Sequence, residues 1–457
     1  MKRRIIYTLP AGTNLTPTRI KRFISFHKNR YAPDYKRLDS YLSEAPESGR
    51  PAPSKVLAIN NYAQYIVSTN SAYLVGTPVK YKHEDDEKAI KPLIDLYEDQ
   101  TISDLDSELA EDCSAFGRAY ELVYRIAQGE KATTLRSAKL SVFNTIVIYD
   151  DTVQHNPMYA ITFTPAATPA GNPKEDDYNL TIWDDKYERK IRFTGGKIVK
   201  EDAEEHHYGA VPVIEYANNK RFIGDYERVL SLIDAYNFLQ SDRLIDREKL
   251  VDALLAISGA KLTEKDRQAI KDNRVIGLPA DSTIQYVIKN IDEADADVLR
   301  QTIAADIHKF SMTPDLSDKD FAGNSSGVAI RYKLLGLDQN TAIKERYFKK
   351  GLTQRLEIYM NYLEFTNKMK HVPLHEIDIV FNRNLPVNEL EISQMITNLD
   401  GKVDDETLLG RLPWIDNPTQ AVLRAKQQKQ ENIDAIKGKF GTDNEDENDD
   451  DDGLESL

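Results

Sequence analysis

The histidines are the first residues whose types and spacing could bind a metal ion. His206 and His207 are adjacent and have no third ligand at a suitable spacing, so we interpret them as exposed loop residues. His371 and His375 are four residues apart, but Pro373 lies between them and disfavours a regular helical face. The histidine pattern therefore predicts no metal site.

Clusters of acidic residues could in principle hold two metal ions for nuclease chemistry. Each cluster falls in a predicted turn or at a predicted helix start, where acidic residues are common for reasons of local structure. A metal-dependent nuclease or nucleotidyl enzyme remains the alternative that these clusters leave open. They occupy residues 84–87, 150–151, 176–177, 184–185 and 404–406.

Sequence motifs of catalysis and cofactor binding do not occur in the chain. It contains no Walker A motif, no GxGxxG after a strand, no GxSxG and no HExxH. Cys113 has no adjacent basic residue, which favours a buried thiol over a nucleophile. We predict no enzymatic activity, no catalytic residue, no metal and no cofactor.

The sequence GNSSG at residues 323–327 precedes a long helical pattern. Backbone N–H groups at such a helix start could bind an anion, and the alternative is a loop with a serine N-cap. The loop separates a predicted helix at residues 292–310 from one at residues 328–369, which is about 60 Å long. A loop between long helices suggests a moving part or a contact point.

The remaining pattern predicts an α+β fold that is mainly α. Apolar residues at helical spacing run without a break from residue 224 to 258, about 50 Å of helix. Short β-rich segments separated by turns at residues 140–216 predict an antiparallel region. Two or three shorter helices are predicted at residues 388–439, and Gly336 and Gly351 predict a kink or close packing within the long helix.

Composition and charge indicate a folded, soluble protein. The 457 residues are 40% apolar, and the net charge is −14. A single cysteine excludes disulfides, and no apolar run approaches the length of a membrane span or of a signal peptide, so we expect a cytoplasmic origin without a membrane partner.

The two ends of the chain carry opposite charges. Residues 441–457 contain nine acidic residues and no basic one, which predicts a disordered tail and leaves a net charge of −5 for the rest. Residues 1–37 contain ten Lys or Arg and one acid, Asp34. They predict either a basic arm near nucleic acid or a solvated helix face.

Seven segments resemble the portal proteins of tailed bacteriophages, in particular those of siphophages of Gram-positive hosts. The Asn-Asn and Ser-Ser-Gly segments are the most specific of them. The segments are 73–81 (YLVGTPVKY), 116–124 (FGRAYELVY), 148–151 (IYDD), 211–219 (VPVIEYANN), 231–237 (SLIDAYN), 325–333 (SSGVAIRYK) and 382–386 (NRNLP).

The resemblance implies a ring, usually of twelve subunits, at one vertex of the capsid, with DNA passing through its channel. It implies a virion protein, assembled in the host cytoplasm, with wing, stem, clip and crown regions. The implied regions are an N-terminal basic arm and helix (1–45), wing (46–223), stem helix (224–258), clip (259–290), stem helix (291–312), tunnel loop (313–327), wing long helix and strand (328–387), crown (388–440) and acidic tail (441–457).

The resemblance also implies partners: double-stranded DNA, the terminase large subunit, a head-completion adaptor, the scaffold and the major capsid protein. A net-acidic subunit would not grip phosphates, so we expect only transient DNA contacts in the tunnel loop. The candidates there are Asp318, Lys319, Asp320, Phe321, Asn324 and Ser325, with a plain solvated loop as the alternative. Partner-binding candidates in the clip are Lys261, Glu264, Lys265, Arg267, Lys271 and Arg274. A second alternative function is a head scaffold or adaptor without a channel.

Overall fold

The computed structural model divides the chain into two compact units. The first comprises Met1–Asp318 and Lys333–Asn384, and the second comprises Lys319–Tyr332 and Leu385–Leu457. Helices and antiparallel sheets both occur, which confirms the predicted α+β class. The structure describes residues 6–43, 58–83, 88–128, 132–166, 177–251, 254–258, 268, 283–287, 293–317, 327–383, 389–399, 401–410, 412, 415 and 418–440.

The described elements alternate between helices and strands in the first unit and are helical in the second. The strands are β1 (Tyr7–Leu9), β2 (Lys80–His83), β3 (Arg118–Gln128), β4 (Ala132–Leu140), β5 (Thr145–Asp150), β6 (Pro157–Pro165), β7 (Tyr178–Trp183), β8 (Tyr187–Thr194), β9 (Lys197–Glu205), β10 (Val213–Ala217), β11 (Leu254–Ser258), β12 (Thr283–Val287) and β13 (Ile377–Val380). The helices are α1 (Pro17–Arg30), α2 (Ala32–Leu42), α3 (Tyr62–Val75), α4 (Lys91–Glu98), α5 (Ile102–Phe116), α6 (Leu230–Val251), α7 (Glu293–Ser311), α8 (Gly327–Phe365), α9 (Glu389–Leu399), α10 (Asp405–Leu409) and α11 (Pro418–Phe440).

The N-terminal segment packs on the core of the first unit from β1 onward. Lys21 and Arg22 of α1 are exposed, which fits the alternative of a solvated helix face, and the basic arm near nucleic acid stays a prediction. β1 pairs in parallel with β5. Thr16 caps α1 by accepting a hydrogen bond from the Arg19 N–H, and Pro17 occupies the first turn, where its fixed φ and missing N–H suit a helix start. Ile20 and Ile24 are buried between the basic residues. The apolar stripe of α1 packs this helix against the core. The excess of Lys and Arg in residues 1–37 did not indicate that packing.

A six-stranded sheet with the order β1-β5-β6-β7-β8-β9 forms the first core together with α1 and α2. His27 joins helix and sheet: the Tyr7 hydroxyl lies 3.0 Å from His27 Nδ1, and Nε2 lies 3.1 Å from the Val142 carbonyl. Burial lowers the pKa of His27 to about 4. The ring is therefore neutral at pH 7, with Nε2–H donating to the carbonyl and Nδ1 accepting from Tyr7.

A second core forms where the sheet β10-β3-β4 meets the C-terminal half of α8. Gly117 ends α5 with a φ of 82°, which is left-handed and favours glycine. A Cβ atom there would also overlap the carbonyl group of Phe222. The turn that follows α5 therefore depends on this glycine, which places Arg118 directly at the start of β3.

The helix predicted for residues 224–258 is shorter than expected, which corrects that prediction. A 3-10 turn (Glu227–Val229) leads into α6, which ends at Val251. β11 follows and pairs antiparallel with β12, with Leu254 opposite Val287. The apolar run Leu254–Ser258 suits a strand as well as a helix. The ladder hydrogen bonds to β12, which lies 25 to 33 residues further along the chain, make it a strand.

Helix α8 confirms the predicted long helix but ends four residues before the expected boundary. It has 39 residues and stops at Phe365, where Asn367 takes a positive φ of 54° and the Lys368 N–H donates to the Leu363 carbonyl. Every helix in the described part of the chain is too short or too polar to span a lipid bilayer.

Among the described residues from 389 to 440 there are three helices, α9, α10 and α11, in agreement with the two or three predicted for residues 388–439. Asp404 caps α10, because its side chain accepts from the Thr407 N–H at 2.8 Å. The acidic cluster at residues 404–406 therefore has a local structural role at a helix start, as the sequence suggested.

Candidate functional site

Arg355 is the centre of a buried charged cluster on the C-terminal half of α8. Its side chain is 0% exposed, and its Nε lies 2.9 Å from both carboxylate oxygens of Glu121 on β3. Its Nη1 lies 2.6 Å from Asp106 on α5, and the Tyr216 hydroxyl on β10 donates to Glu121 at 2.6 Å. Burial raises the pKa of Asp106 to about 6, and Arg355 opposes that shift. The Arg355 guanidinium thus ties the long helix directly to α5 and β3, and Glu121 extends the contact to β10.

Arg118 forms a second buried cluster with Glu215 of the neighbouring strand. The two side chains are 2.9 Å apart and at most 5% exposed. The Tyr120 and Tyr149 hydroxyls also donate to Glu215, at 3.0 and 2.7 Å. The Arg118 guanidinium lies 4.3 Å from the ring centroid of Phe222. Together these contacts join β3, β5, β10 and the loop after β10.

Lys344 and Asp225 form a third pair, which ties the middle of α8 to the same loop. The two charged atoms are 2.6 Å apart, and both side chains are at most 5% exposed. The Ser114 hydroxyl and the Asn218 amide also donate to Asp225, at 2.5 and 2.9 Å. We call the three clusters the charged framework. It holds two helices, α5 and α8, two sheets and a loop in one arrangement.

Comparisons with known proteins all find the same kind of protein, and they cover most of the chain. The family model described as "Phage portal protein, SPP1 Gp6-like" matches residues 21–435. The chain belongs to this phage portal protein family. The portal protein of Bacillus phage SPP1 is 23% identical over 387 residues, which cover 79% of this chain and 74% of that protein. The portal protein of Clostridium phage phiCD119 is 21% identical over 381 residues, covering 79% and 82%.

Three of the seven segments that carried the portal resemblance meet in the charged framework. Segment 116–124 contributes Arg118, Tyr120 and Glu121, segment 148–151 contributes Tyr149, and segment 211–219 contributes Glu215, Tyr216 and Asn218. Segment 382–386 meets segment 73–81 elsewhere, where Arg383 lies 5.7 Å from the Tyr73 ring and 2.6 Å from Asp338 on α8. These portal motifs hold neighbouring elements of the fold together.

The framework makes the stability of the fold sensitive to the loss of single charges. A buried ion pair is weak as a source of stability, but removing one partner costs about 3–5 kcal/mol because the other charge stays buried. Arg118 even keeps two guanidinium nitrogens, Nε and Nη2, without a hydrogen-bond partner in the described part of the chain. The clusters therefore specify which elements pack together more than they stabilise the fold.

The residues considered for metal chemistry have structural roles where they are described. The prediction that His206 is an exposed loop residue is wrong: it is buried, stacked 4.6 Å from Tyr208, and bonded to the Asp184 carbonyl. His371 is exposed and lies 2.8 Å from Glu364. Asp150 accepts hydrogen bonds from Thr152 and Asn156 in a turn. Within the described ranges, no three His, Cys, Asp or Glu side chains are grouped to hold a metal ion.

The acidic clusters at residues 84–87 and 176 lie outside the described residues. Cys113 is buried, as predicted, and burial raises its thiol pKa. A buried thiol with a raised pKa is a poor nucleophile at pH 7, because little thiolate forms.

The predicted tunnel-loop and clip side chains lie outside the described residues. They are Asp318, Lys319, Asp320, Phe321, Asn324 and Ser325 in the loop and Lys261, Glu264, Lys265, Arg267, Lys271 and Arg274 in the clip. The segment that leads into the loop is described and firmly held. Asn70 donates to Thr313 at 2.8 Å, and the Tyr65 hydroxyl donates to the Pro314 carbonyl at 2.7 Å. Helix α3 thus fixes the point at which the loop begins.

Sequence reasoning missed the framework, although a signal was present. Glu121 and Glu215 each lie in a segment that is otherwise apolar or aromatic, AYELVY and VIEYA. A charge in such a segment is rarely buried unless it is paired. The pattern could have indicated buried pairs, but the partners, up to 249 residues apart, could not be matched.

Proposed function

We propose that this chain forms a ring-shaped, dodecameric channel at one vertex of a phage capsid, through which DNA is packaged and later ejected. The single observation that carries the proposal is the portal family match across residues 21–435. The chain then acts as a structural component of the virion, assembled in the host cytoplasm, and an ATP-hydrolysing partner moves the DNA. A net charge of −14 suits a conduit that does not grip phosphates.

The regional assignment follows the same proposal. Residues 224–258 and 291–312 form the stem around α6 and α7, and residues 259–290 form the clip. Residues 46–223 and 328–387 form the wing, residues 388–440 form the crown, and residues 441–457 form an acidic tail. The charged framework supports this assignment, because it ties the end of α8 to β3 and β10 in the wing.

The mass of the purified chain in solution tests the ring. Light scattering should give a particle near twelve times 52.0 kDa, and negative-stain images of the same peak should show a central hole. Portals can require scaffold or particular salt to assemble, so the measurement is repeated under those conditions. A chain that stays monomeric or dimeric in all of them contradicts the proposal and favours a scaffold or adaptor without a channel.

The tunnel loop and the clip give separate tests. We propose that Lys319 and Asn324 contact the DNA backbone transiently, so a ring lacking residues 319–324 should package less DNA. An intact ring with normal packaging would contradict this role.

We assign the clip to the terminase large subunit and the head-completion adaptor. Reversing the charges of Arg267, Lys271 and Arg274 should weaken both contacts without changing the ring mass.

The other proposed partners are the scaffold and the major capsid protein, which a portal meets when the head assembles. A pull-down of each by the intact ring tests these contacts. A ring that packages DNA but binds neither of them would contradict this part of the proposal.

A further inference from the structure

Strand β9 is the last strand of the six-stranded sheet, and one of its two sides is open. It pairs with β8 on one side, and no strand in the described part of the chain pairs with the other. Residues 199–205 are all exposed, and the side chain of Val199 is in solvent with 67% exposure. An edge strand of this kind offers free N–H and C=O groups to a strand of another molecule.

The hydrogen bonds to β8 show which backbone groups of β9 point to the open side. The His206 N–H donates to the Lys186 carbonyl at 3.0 Å. Hydrogen-bonded residues alternate along an antiparallel ladder, so the even-numbered residues bond to β8. The odd-numbered residues from Glu201 to Glu205 therefore turn their N–H and C=O groups outward. The Glu205 carbonyl, on that side, accepts a hydrogen bond from Arg125 at 3.1 Å.

The charges of β9 change sign in the middle of the open edge. Lys200 and Asp202 are on the same face of the strand, and their side chains have neither a hydrogen-bond nor an ion-pair partner among the residues that the structure describes. Glu201 lies between them on the opposite face, where Arg189 Nε is 3.8 Å away. A second copy of the strand, placed antiparallel about a twofold axis at Glu201, brings each Lys200 opposite an Asp202.

We propose that the β9 strands of two copies of this chain pair antiparallel about a twofold axis at Glu201. The two Glu201 residues exchange N–H···O=C bonds, Lys200 of each copy faces Asp202 of the other, and Val199 faces Ala203. This charge complementarity selects a second copy as the occupant, because a strand with a single sign of charge would place a like-charge pair against the edge. The β8–β9 ladder shifts register opposite Val199, so we confine the contact to residues 199–203.

This contact goes beyond the proposed ring and does not depend on it. An isologous contact uses the same surface on both copies and closes with two copies, whereas a ring needs two different surfaces on each copy. The β9 contact therefore forms a dimer of the unassembled chain. Because a single strand edge is a small interface, the dimer should be weak and should form only as the protein concentration rises.

Disulfide trapping in the full-length chain tests the twofold axis. The Cα atoms of a hydrogen-bonded antiparallel pair are about 5.5 Å apart, which suits a disulfide, so Glu201→Cys should give a covalent dimer on oxidation. Asp202→Cys is the matched control, because its Cα would lie about 7–8 Å from that of the other copy and should not form a bridge. The native Cys113 is buried and supplies no surface thiol.

Charge exchange within one chain is a second test, and it needs no oxidation. Lys200→Glu creates two like-charge pairs in the contact and should raise the dissociation constant of the dimer at least about tenfold at low salt. The double variant Lys200→Glu, Asp202→Lys restores both pairs in reverse and should recover most of the loss. Sedimentation velocity over a range of protein concentrations measures the constants. Melting curves recorded at dilutions where the chain is monomeric should be alike for all variants, which separates lost pairing from lost folding.

Two substitutions of Glu201 should act in opposite directions. The two carboxylates meet at the axis, so Glu201→Gln should lower the dissociation constant by about twofold or more. Glu201→Pro removes an N–H that the contact needs and that β8 does not use, so it should abolish the dimer and leave the monomer folded. Equal effects of the two substitutions would contradict the proposed register.

The outcomes separate this contact from the proposed function. A chain that is monomeric at every concentration below ring assembly, or a dimer that is trapped equally by Glu201→Cys and Asp202→Cys, overturns the β9 contact and leaves the ring untouched. A dimer that is trapped by Glu201→Cys alone and recovered by the double charge exchange supports the contact. If such a dimer never gives rings, that result counts against the proposed function alone.

Discussion

The two halves of helix α8 lie in different surroundings. From Gly351 onward the helix is buried on several sides, and Arg355 and Leu352 are 0% exposed. Between residues 333 and 350 only one stripe is buried, and Leu335 and Ile343 are about half exposed. One continuous helix thus has a C-terminal part that is buried in the protein and a middle part with exposed faces. Tertiary contacts, and not helical propensity, distinguish them.

The largest effect should follow the removal of the framework's central charge. Arg355→Met leaves Asp106 and Glu121 buried without their partner, so the free energy of unfolding should fall by about 3–5 kcal/mol. Urea unfolding of unassembled protein measures it. Arg346→Met, at an exposed position of the same helix, is the matched control and should change it by at most about 0.5 kcal/mol. If Arg355→Met and Arg346→Met lowered the free energy of unfolding equally, the two halves of α8 would not differ in how much they stabilise the fold.

The free energy of unfolding should also depend on pH, because Asp106 contacts Arg355 in the buried half of α8. Because burial raises the pKa of this carboxyl to about 6, the native state binds its proton more tightly than the unfolded chain does. Its contribution to stability is complete below about pH 4 and is lost as the pH rises through about 6, a change of about 2–3 kcal/mol.

Asp106→Asn should therefore remove a pH slope that the wild type has. The stability difference between wild type and variant should decline between about pH 4 and about pH 7. Asp104→Asn, at an exposed position on the same helix α5, should leave the slope unchanged. A wild type and an Asp106→Asn variant with parallel pH curves would contradict the assignment.

The two glycines of α8 should respond in opposite directions to alanine. A Cβ atom at Gly351 would overlap the Tyr216 ring, so Gly351→Ala should cost about 1–3 kcal/mol. At Gly336 the nearest atom is Met312 Cβ at 4.0 Å, so Gly336→Ala should gain up to about 1 kcal/mol of helix stability. Thermal melting of both variants measures the difference. A destabilised Gly336→Ala would show that the less buried half is also tightly packed.

The smallest effect is expected at an exposed apolar residue of the less buried half. Leu335 is 46% exposed, so Leu335→Ser should change the free energy of unfolding by at most about 0.5 kcal/mol. Denaturant unfolding of the unassembled chain measures it. A loss above about 1 kcal/mol would place this position in the subunit core.

Much of the fold could be predicted because its signals are local. The Thr16 cap, the strands around Ile148 and Ile161, and the start of α8 all follow from caps, alternation and helical spacing. The prediction of helix at Leu254–Ser258 was wrong because a short apolar run fits both states, and the pairing with β12 decides. The prediction that His206 is exposed was wrong because its burial depends on stacking with Tyr208 and on a hydrogen bond to the turn at Asp184.

The sequence by itself determined most element types, the single buried thiol and the portal motifs, because these depend on neighbours along the chain or on the motif itself. Only the tertiary structure decided that Arg355 meets Asp106 and Glu121 and that Gly351 packs on Tyr216. It also decided that Arg228 faces a cavity beside Ile343. These contacts join residues that are distant in sequence, and their energies depend on burial and geometry, which no local pattern encodes.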